Sequence, residues 1–541
     1  MRRFLRFKFF ILIIFLFSAG STAFADTVHR GGFRKPTEKE QEYLKDKVLT
    51  VTEVKPNILA KQRFMAAPSI KYGLAASVTN WLYLPPVGNQ GSQGSCSAWA
   101  CCYYMKTYQE AKENGWSQPL DNDHAMSPAF GYNLANDGVD SGSAPELINQ
   151  IMVDHGCPLY SDMPYSEADF ISWPSETAWK NGIPQKCESS AKIDLSDAAG
   201  IDALKQHVAN GNLAVIGVEI DNYFDNYPGG GGDNNNVLHS TTTVGVRGGH
   251  AITIIGYDDT KTYNDGVPSS GAFLAVNQWG SNWGIKELNV DTSGFILLSY
   301  KYVRDLSYQE AYIITDKIGY TSDTFGKFWI EHNKRGDLNV FFMGGDSKYA
   351  PDWSFNCLPN LGGPKRHNDV IVVDLAPYSP DFDKKFWLKV GDLNPQTDTG
   401  QIHSMAVEKV PGGVATSADV PKNTINSAYV YVELVYIVES PDALQNVVSY
   451  PNPAYFGASG GSVTFGSIPL YSTEVTIFIY NVAGDLVRIL DENSEIIPQG
   501  DFKVGSWDGK NDAGRNAASG VYIWYAKTDS SHKKGKIAII R

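Results

Sequence analysis

The sequence predicts a multidomain chain in which an α+β domain is followed by all-β sandwich domains. Its 541 residues exceed what one hydrophobic core holds, since domains average roughly 150 residues. From Val78 to Arg304 the chain mixes helical and strand patterns. Beyond Asp305, short runs of aromatic and β-branched residues alternate with turn residues, which is typical of β-sandwiches.

The N-terminus has the pattern of a secretory leader. Basic residues precede an apolar stretch from Phe9 to about Phe17, and the small-residue triplet Ala23-Phe24-Ala25 follows. This pattern predicts a signal peptide over residues 1–25. The apolar stretch is shorter than the ~20 residues of a spanning helix. We therefore expect a secreted or cell-surface protein with no membrane span in the mature chain.

The net charge narrows the possible partners, and the cysteine content limits the number of disulfides. The net charge is −13, and removal of the leader makes it more negative, which disfavours nucleic acids and anionic membranes. Six cysteines are too few for a disulfide-dense scaffold. A Cys157–Cys187 bridge is the first expectation, although spacing alone leaves the connectivity open.

The segment after the leader, residues 26–77, is polar, and Thr37 with Glu40 predicts a capped helix start. It is either an inhibitory propeptide or a packing arm. The expected organisation is a signal peptide at 1–25, this segment at 26–77, the α+β domain at 78–310, an accessory β-sandwich at 311–440 and a C-terminal domain at 441–541.

The α+β domain is expected to contain two helices and three buried strands. The patterns predict helices at Cys96–Glu113 and Ala144–His155, and strands at Leu213–Ile220, His250–Tyr257 and Ala272–Val276.

A polar, glycine-rich loop ends at Cys96, which opens the first of these helices. A helix N-terminus supplies partial positive charge that lowers a thiol pKa. Glycines let backbone N–H groups approach a reacting carbonyl, and Gln90 could donate its amide to an oxyanion. The pattern predicts a nucleophilic thiolate.

A nucleophilic cysteine needs a base, and the base needs a residue that orients it. His250 follows two glycines at the mouth of an apolar strand. Asn277 ends the next strand along the chain and precedes Trp279, which could cover the pair. Asn282 is a nearby decoy, because it does not directly follow an apolar strand, and Cys101 and Cys102 lie on other faces of the nucleophile helix.

These residues resemble those of papain-like cysteine peptidases, with Gln90, Cys96, His250 and Asn277 in the family's chain order. The resemblance covers about residues 78–304. It implies hydrolysis of protein or peptide substrates by a thiolate–imidazolium pair, with Gln90 and the Cys96 N–H at the oxyanion and no metal or cofactor. Two departures are Ser97, where the family usually has Trp, and Gln93, where it usually has a disulfide cysteine.

The last hundred residues resemble Ig-like C-terminal modules of exported bacterial proteins, including type IX sorting domains. This resemblance implies a bacterial source and delivery to the surface or medium. The middle sandwich has no assignable motif, so carbohydrate binding, protein binding and a passive spacer all stay open. The matching features are Tyr450-Pro451-Asn452-Pro453, Tyr480-Asn481-Val482-Ala483-Gly484, Trp507-Asp508-Gly509, Gly514 and Ser519-Gly520-Val521-Tyr522.

We therefore expect a secreted cysteine endopeptidase. One alternative is a non-catalytic adhesin or binding protein on a papain-like scaffold. Another is a different thiol acyl-transferase, such as a transglutaminase-like or peptidoglycan amidase enzyme. Those enzymes more often use Asp or a second His as the orienting residue, so Asn277 favours the peptidase.

Overall fold

A computed structural model describes residues 29–51 and 74–541, apart from short gaps. The expected signal peptide and the middle of the 26–77 segment lie outside the described residues. In the part of the chain so described, no helix combines the length and apolar character that crossing a membrane requires. The gaps are 117–120, 122, 137, 230–234, 287–291, 360–366, 394–399, 411–412, 437–442, 458–460, 470–471, 473, 493–494, 500–501 and 529–530.

The first unit is built on a mixed sheet with the strand order β1-β3-β9-β4-β6-β7-β8-β5, and β2 pairs with β6. Its central strands are buried on both faces because they carry continuous apolar runs. The strands are β1 (Val48–Val51), β2 (Ser77–Thr79), β3 (Cys187–Asp194), β4 (Ala214–Ile220), β5 (Val237–Leu238), β6 (Gly248–Asn264), β7 (Pro268–Val276), β8 (Phe295–Ser299) and β9 (Glu310–Asp316).

Helices pack against this sheet. Helix α2 starts at Cys96 and is continuous through Cys96–Ala98, a π-helical stretch at Trp99–Lys106 and Thr107–Asn114. The predicted capping box of Thr37 and Glu40 is confirmed at the start of α1. The other helices are α1 (Glu38–Leu44), α3 (Pro128–Ala135), α4 (Pro145–His155), α5 (Glu176–Gly182), α6 (Ala198–Ala209), α7 (Asn222–Asp225) and α8 (Tyr300–Asp305), with short 3-10 turns at Ile183–Gln185, Arg335–Asp337, Ala376–Tyr378 and Ala443–Asn446.

The second unit is a sandwich of two antiparallel sheets, β13-β10-β15-β16 with β17, and β12-β11-β14-β18. Its buried side chains and those of the first unit form one continuous hydrophobic core. The strands are β10 (Thr324–His332), β11 (Leu338–Gly345), β12 (Trp353–Pro359), β13 (His367–Asp374), β14 (Lys385–Asp392), β15 (Gln401–Lys409), β16 (Gly413–Thr416), β17 (Lys422–Asn423) and β18 (Ala428–Val435).

The third unit is a smaller sandwich with its own core. Its sheets have the orders β19-β21-β25-β24 and β20-β27-β26-β22-β23. The prediction of an α+β unit followed by all-β units is confirmed. The strands are β19 (Val448–Tyr450), β20 (Ala454–Tyr455), β21 (Val463–Pro469), β22 (Thr476–Asn481), β23 (Leu486–Asp491), β24 (Ile496–Gln499), β25 (Phe502–Trp507), β26 (Gly520–Lys527) and β27 (His532–Ile540).

Two expectations need correction. All six cysteines, each within the described residues, are free buried thiols, so the expected Cys157–Cys187 bridge is absent. The first sheet also reaches further along the chain than expected. It takes in β1 from the N-terminal segment, paired in parallel with β3, and it ends with β9 at Asp316 rather than at 310.

Candidate active site

The predicted nucleophile lies at the start of α2. Cys96 is the first helical residue, and the carbonyl of Ser95 accepts the first helical N–H groups, from Ala98 and Trp99. The apolar run that follows buries the helix, which fixes its N-terminus against the sheet. The sulfur therefore lies at the positive end of the helix dipole, and the residue is fully buried.

The predicted base and its orienting residue lie on adjacent strands. His250 is the third residue of β6, and Asn277 directly follows β7. The distance from His250 Nε2 to Asn277 Oδ1 is 2.8 Å, which fixes Nε2 as the protonated nitrogen. The Ala251 N–H donates to Cys96 Sγ at 3.4 Å, so the β6 backbone at the histidine contacts the thiol directly.

The other ring nitrogen of His250, Nδ1, is buried without a hydrogen-bond partner in the described part of the chain. It is the nitrogen left to exchange a proton with the thiol. Trp279 covers the imidazole with ring centroids 4.8 Å apart. The sequence prediction missed Gln278, which donates to the Ala251 carbonyl at 2.8 Å and approaches His250 Nε2 at 3.3 Å. Its position next to Asn277 in the sequence could have identified Gln278 as a residue of the site.

Gln90, the predicted oxyanion donor, is buried, and two backbone carbonyls accept from its side-chain amide. Its Nε2 donates to the Gln93 carbonyl at 2.8 Å and to the Arg30 carbonyl at 3.0 Å. The loop is joined to the Asn277 side of the cleft because Gln90 N–H donates to the Gln278 carbonyl. The decoy Asn282 is exposed, and Cys101 and Cys102 are buried in the core.

The N-terminal segment fills the cleft. We name residues 29–34 the plug. Gly32 and Phe33 donate their N–H groups to the carbonyl of Gly249, next to the histidine, and Phe33 pairs in parallel with Ser143. A Cβ on Gly32 would lie 1.9 Å from the Gly94 carbonyl oxygen. The plug therefore passes directly over the nucleophile loop, where only glycine fits.

Both ends of the plug are anchored. The Phe33 ring is buried against Tyr308, with centroids 4.5 Å apart, and covers the Cα of Gly217. At the other end His29 stacks on Trp279 at 5.2 Å, and Arg247 donates to the His29 carbonyl. No sequence signal pointed to these contacts, because they depend on the tertiary fold.

Burial sets the charge state of the covered site. It raises the pKa of the Cys96 thiol to about 11, although the N–H groups of Ala251 and Gly32 oppose this shift. Burial also lowers the pKa of His250 to about 3, against the hydrogen bond to Asn277. Burial therefore favours the neutral form of both groups, the thiol and the imidazole.

One acidic cluster lies outside the cleft. Ligand atoms of Glu110, Glu113 and Asp316 lie within 4.8 Å of one another. The buried ammonium of Lys106 contacts Glu110 and Asp316, each at 2.5 Å. The lysine therefore offsets part of this negative charge.

Part of the chain is similar to known cysteine proteases. Residues 77–290 match the model of the papain family of cysteine proteases. A papain-family domain occupies this part of the chain.

Cathepsin J from Mus musculus is 23% identical over 208 residues, which are 38% of this chain and 55% of the mouse protein. Rat cathepsin J is 24% identical over the same length, so the chain spans about half of the curated relatives it matches. The structure of xylellain, a cysteine protease from Xylella fastidiosa, aligns with a TM-score of 0.38 at 18% identity, over 53% of this chain and 96% of that one.

Proposed function

We propose that this protein is an exported cysteine endopeptidase that the plug keeps latent. The observation that carries the proposal is the 2.8 Å bond from His250 to Asn277 on one side of the cleft, with Cys96 held at the helix N-terminus on the other. A binding protein would have no need for a buried histidine that is oriented by an amide, next to a residue whose N–H contacts a thiol.

The reaction begins when His250 Nδ1 takes the proton of Cys96. The thiolate attacks the carbonyl carbon of the scissile peptide, and the carbonyl oxygen becomes an oxyanion that Gln90 Nε2 and the Cys96 N–H stabilise. His250 protonates the leaving amine, and the peptide C–N bond breaks to leave a thioester. The neutral His250 then takes a proton from a water molecule. The resulting hydroxide attacks the thioester carbonyl, which releases the acid product and frees Cys96.

The plug blocks each of these steps. The Arg30 carbonyl of the plug accepts the hydrogen bond from the Gln90 amide that the oxyanion would need. The Gly32 backbone contacts the Cys96 sulfur. By burying Cys96 and His250, the plug keeps the thiol and the imidazole neutral. Release of the plug admits water, which lowers the cost of forming the thiolate–imidazolium pair.

The test compares the full chain with Gly32→Val. Valine at this position cannot fit against Gly94, and such overpacking costs roughly 1–3 kcal/mol. We therefore expect at least about fivefold faster hydrolysis of a fluorogenic peptide and faster labelling by an epoxide thiol inhibitor. Lys35→Val, at an exposed residue next to the plug, is the matched control.

Adding Cys96→Ala to the valine variant should abolish both signals. Hydrolysis that survives the alanine substitution would exclude the peptidase mechanism. A valine variant that binds peptides but neither cleaves them nor reacts would favour the adhesin, and one that forms amides with added amines would favour the acyl-transferase.

The proposal also assigns roles to the remaining segments. Residues 1–25 act as a bacterial signal peptide, and the 441–541 unit as a sorting or anchoring module, on the motif resemblance given above. The middle sandwich has a polar groove of about 320 Å³ lined by Glu331, His332, Asn333, Gly400, Gln401 and Asn423. Its amides suit sugar hydroxyls, and titration calorimetry with surface glycans tests carbohydrate binding there.

A further inference from the structure

The Gln93 side chain ties the nucleophile loop to a distant stretch of chain. Its Nε2 lies 3.2 Å from the carbonyl oxygen of Ser166 and 3.3 Å from those of Glu167 and Asp169. Gln93 itself is 1% exposed, whereas Ser166 and Glu167 lie at the surface and Asp169 is half-buried. An amide has two N–H donors, and here both are directed at a cluster of three carbonyls.

The backbone of the same residue holds the oxyanion donor. The Gln93 carbonyl accepts one Nε2 hydrogen of Gln90 at 2.8 Å. Because the amide is planar, this bond fixes the direction of its second hydrogen, which points at the Arg30 carbonyl in the cleft. A shift of the Gln93 peptide would rotate the Gln90 amide away from a bound carbonyl.

The loop has no covalent support, since all six cysteines are free. Other ties run to the same region: the Glu167 carboxylate accepts the Ser92 N–H at 2.7 Å, and the Tyr165 hydroxyl donates to the Gln90 carbonyl at 2.7 Å. Gln93 occupies the position where papain-like peptidases usually carry a disulfide cysteine. Its amide makes a noncovalent link to residues 166–169 instead.

We infer that Gln93 is a positioning residue that holds the Gln90 amide at the oxyanion site through its tie to residues 166–169. This inference rests on the proposed peptidase function. Gln93 acts on the developing oxyanion and not on the thiol, so its loss slows acyl transfer while Cys96 keeps its intrinsic reactivity.

The experiment uses the full chain carrying Gly32→Val, with Gln93→Met or the milder Gln93→Asn added. Loss of an oxyanion donor costs about 10²–10³ in kcat, and for a displaced donor we expect kcat to fall at least about tenfold. KM and the rate of Cys96 alkylation by iodoacetamide, which forms no oxyanion, should each change less than about twofold. The control is Gln109→Met, because Gln109 makes one comparable amide-to-carbonyl bond, to Ile314 at 3.1 Å, away from the cleft.

Amide hydrogen exchange tests the link between Gln93 and residues 166–169 without requiring peptide hydrolysis. Exchange at residues 90–95 should be faster in both Gln93 variants and unchanged in Gln109→Met. Unchanged exchange and unchanged kcat, or alkylation that falls in parallel with kcat, would overturn the inference. If the valine variant never hydrolyses peptide while Gln93→Met still loosens the loop, the peptidase proposal fails and the tie stands.

Discussion

At the scale of single residues, one hydrogen bond separates the proposed catalytic histidine from the other buried histidines of the first unit. His155 and His207 are as buried as His250, and burial lowers the pKa of each to about 4. What distinguishes His250 is its carboxamide partner, Asn277.

Replacing Asn277 with alanine in the Gly32→Val chain should lower kcat/KM by about 100-fold, at the low end of the 10²–10⁴ that acid–base catalysis contributes. The imidazole would lose the acceptor that fixes its protonated nitrogen. Asn282→Ala, five residues on and exposed, is the control and should match the parent in peptide hydrolysis. Equal losses in the two variants would remove Asn277 from the mechanism.

The pH dependence of Cys96 alkylation should differ between the full chain and Gly32→Val. Burial disfavours the thiolate and raises the pKa to about 11, so at pH 8 only about one thiol in a thousand is ionised in the covered site. The rate in the full chain should therefore climb through pH 10. In Gly32→Val it should level off near neutrality, where the ion pair forms. Peptide mapping of the labelled cysteine provides the measurement, and identical profiles would contradict the assigned role of the plug.

At the scale of elements, the sequence was informative wherever chemistry is local. Cys96 at a helix start and Asn277 at a strand end could be predicted because glycine loops and apolar runs mark such positions directly. The plug could not be predicted from the sequence. Its Phe33 pairs with Ser143, and no local sequence pattern indicates that these two distant segments meet. The unpaired thiols of Cys157 and Cys187 likewise depend on three-dimensional geometry that spacing does not encode.

One side chain of the second unit caps the C-terminal end of a helix in the first unit. The guanidinium of Arg335, 3% exposed, donates to the carbonyls of Asn133, Leu134 and Asn136 at the end of α3 and lies over Trp173. The last carbonyls of a helix otherwise have no partners, and a cation suits their negative dipole end. The contact therefore joins the two units at a polar point within their shared core.

Arg335→Ala should reduce the free energy of unfolding by roughly 2–4 kcal/mol, because it leaves buried carbonyls unsatisfied. Urea denaturation followed by tryptophan fluorescence measures the loss. Arg515→Ala, at an exposed position in the third unit, should change stability by less than about 0.5 kcal/mol. An Arg335 variant as stable as this control would show that the carbonyls find other partners.

At the scale of the whole molecule, the cores define which parts depend on one another. The first and second units share one core, whereas the third has its own. The sandwich at 324–436 is thus structurally continuous with the unit that carries the candidate active site.

Truncation tests this dependence. In the Gly32→Val background, a chain ending at 436 should keep the hydrolysis rate and the melting temperature of its catalytic unit. A chain ending at 320 exposes the apolar surface that the sandwich covers and should aggregate or lose its cooperative melting. Normal melting of the shorter chain would show that the two units fold independently.

The order of segments at the N-terminus decides how the candidate site could be uncovered. The plug comes before α1 and β1, and β1 is a strand of the main sheet, so a displaced plug remains attached beside the cleft. On so short a tether its effective concentration is on the order of millimolar, and it would rebind whenever substrate left. Displacement alone would make activity proportional to local substrate supply. A single cut between Arg34 and α1 would make the change permanent and would leave every strand of the sheet in place.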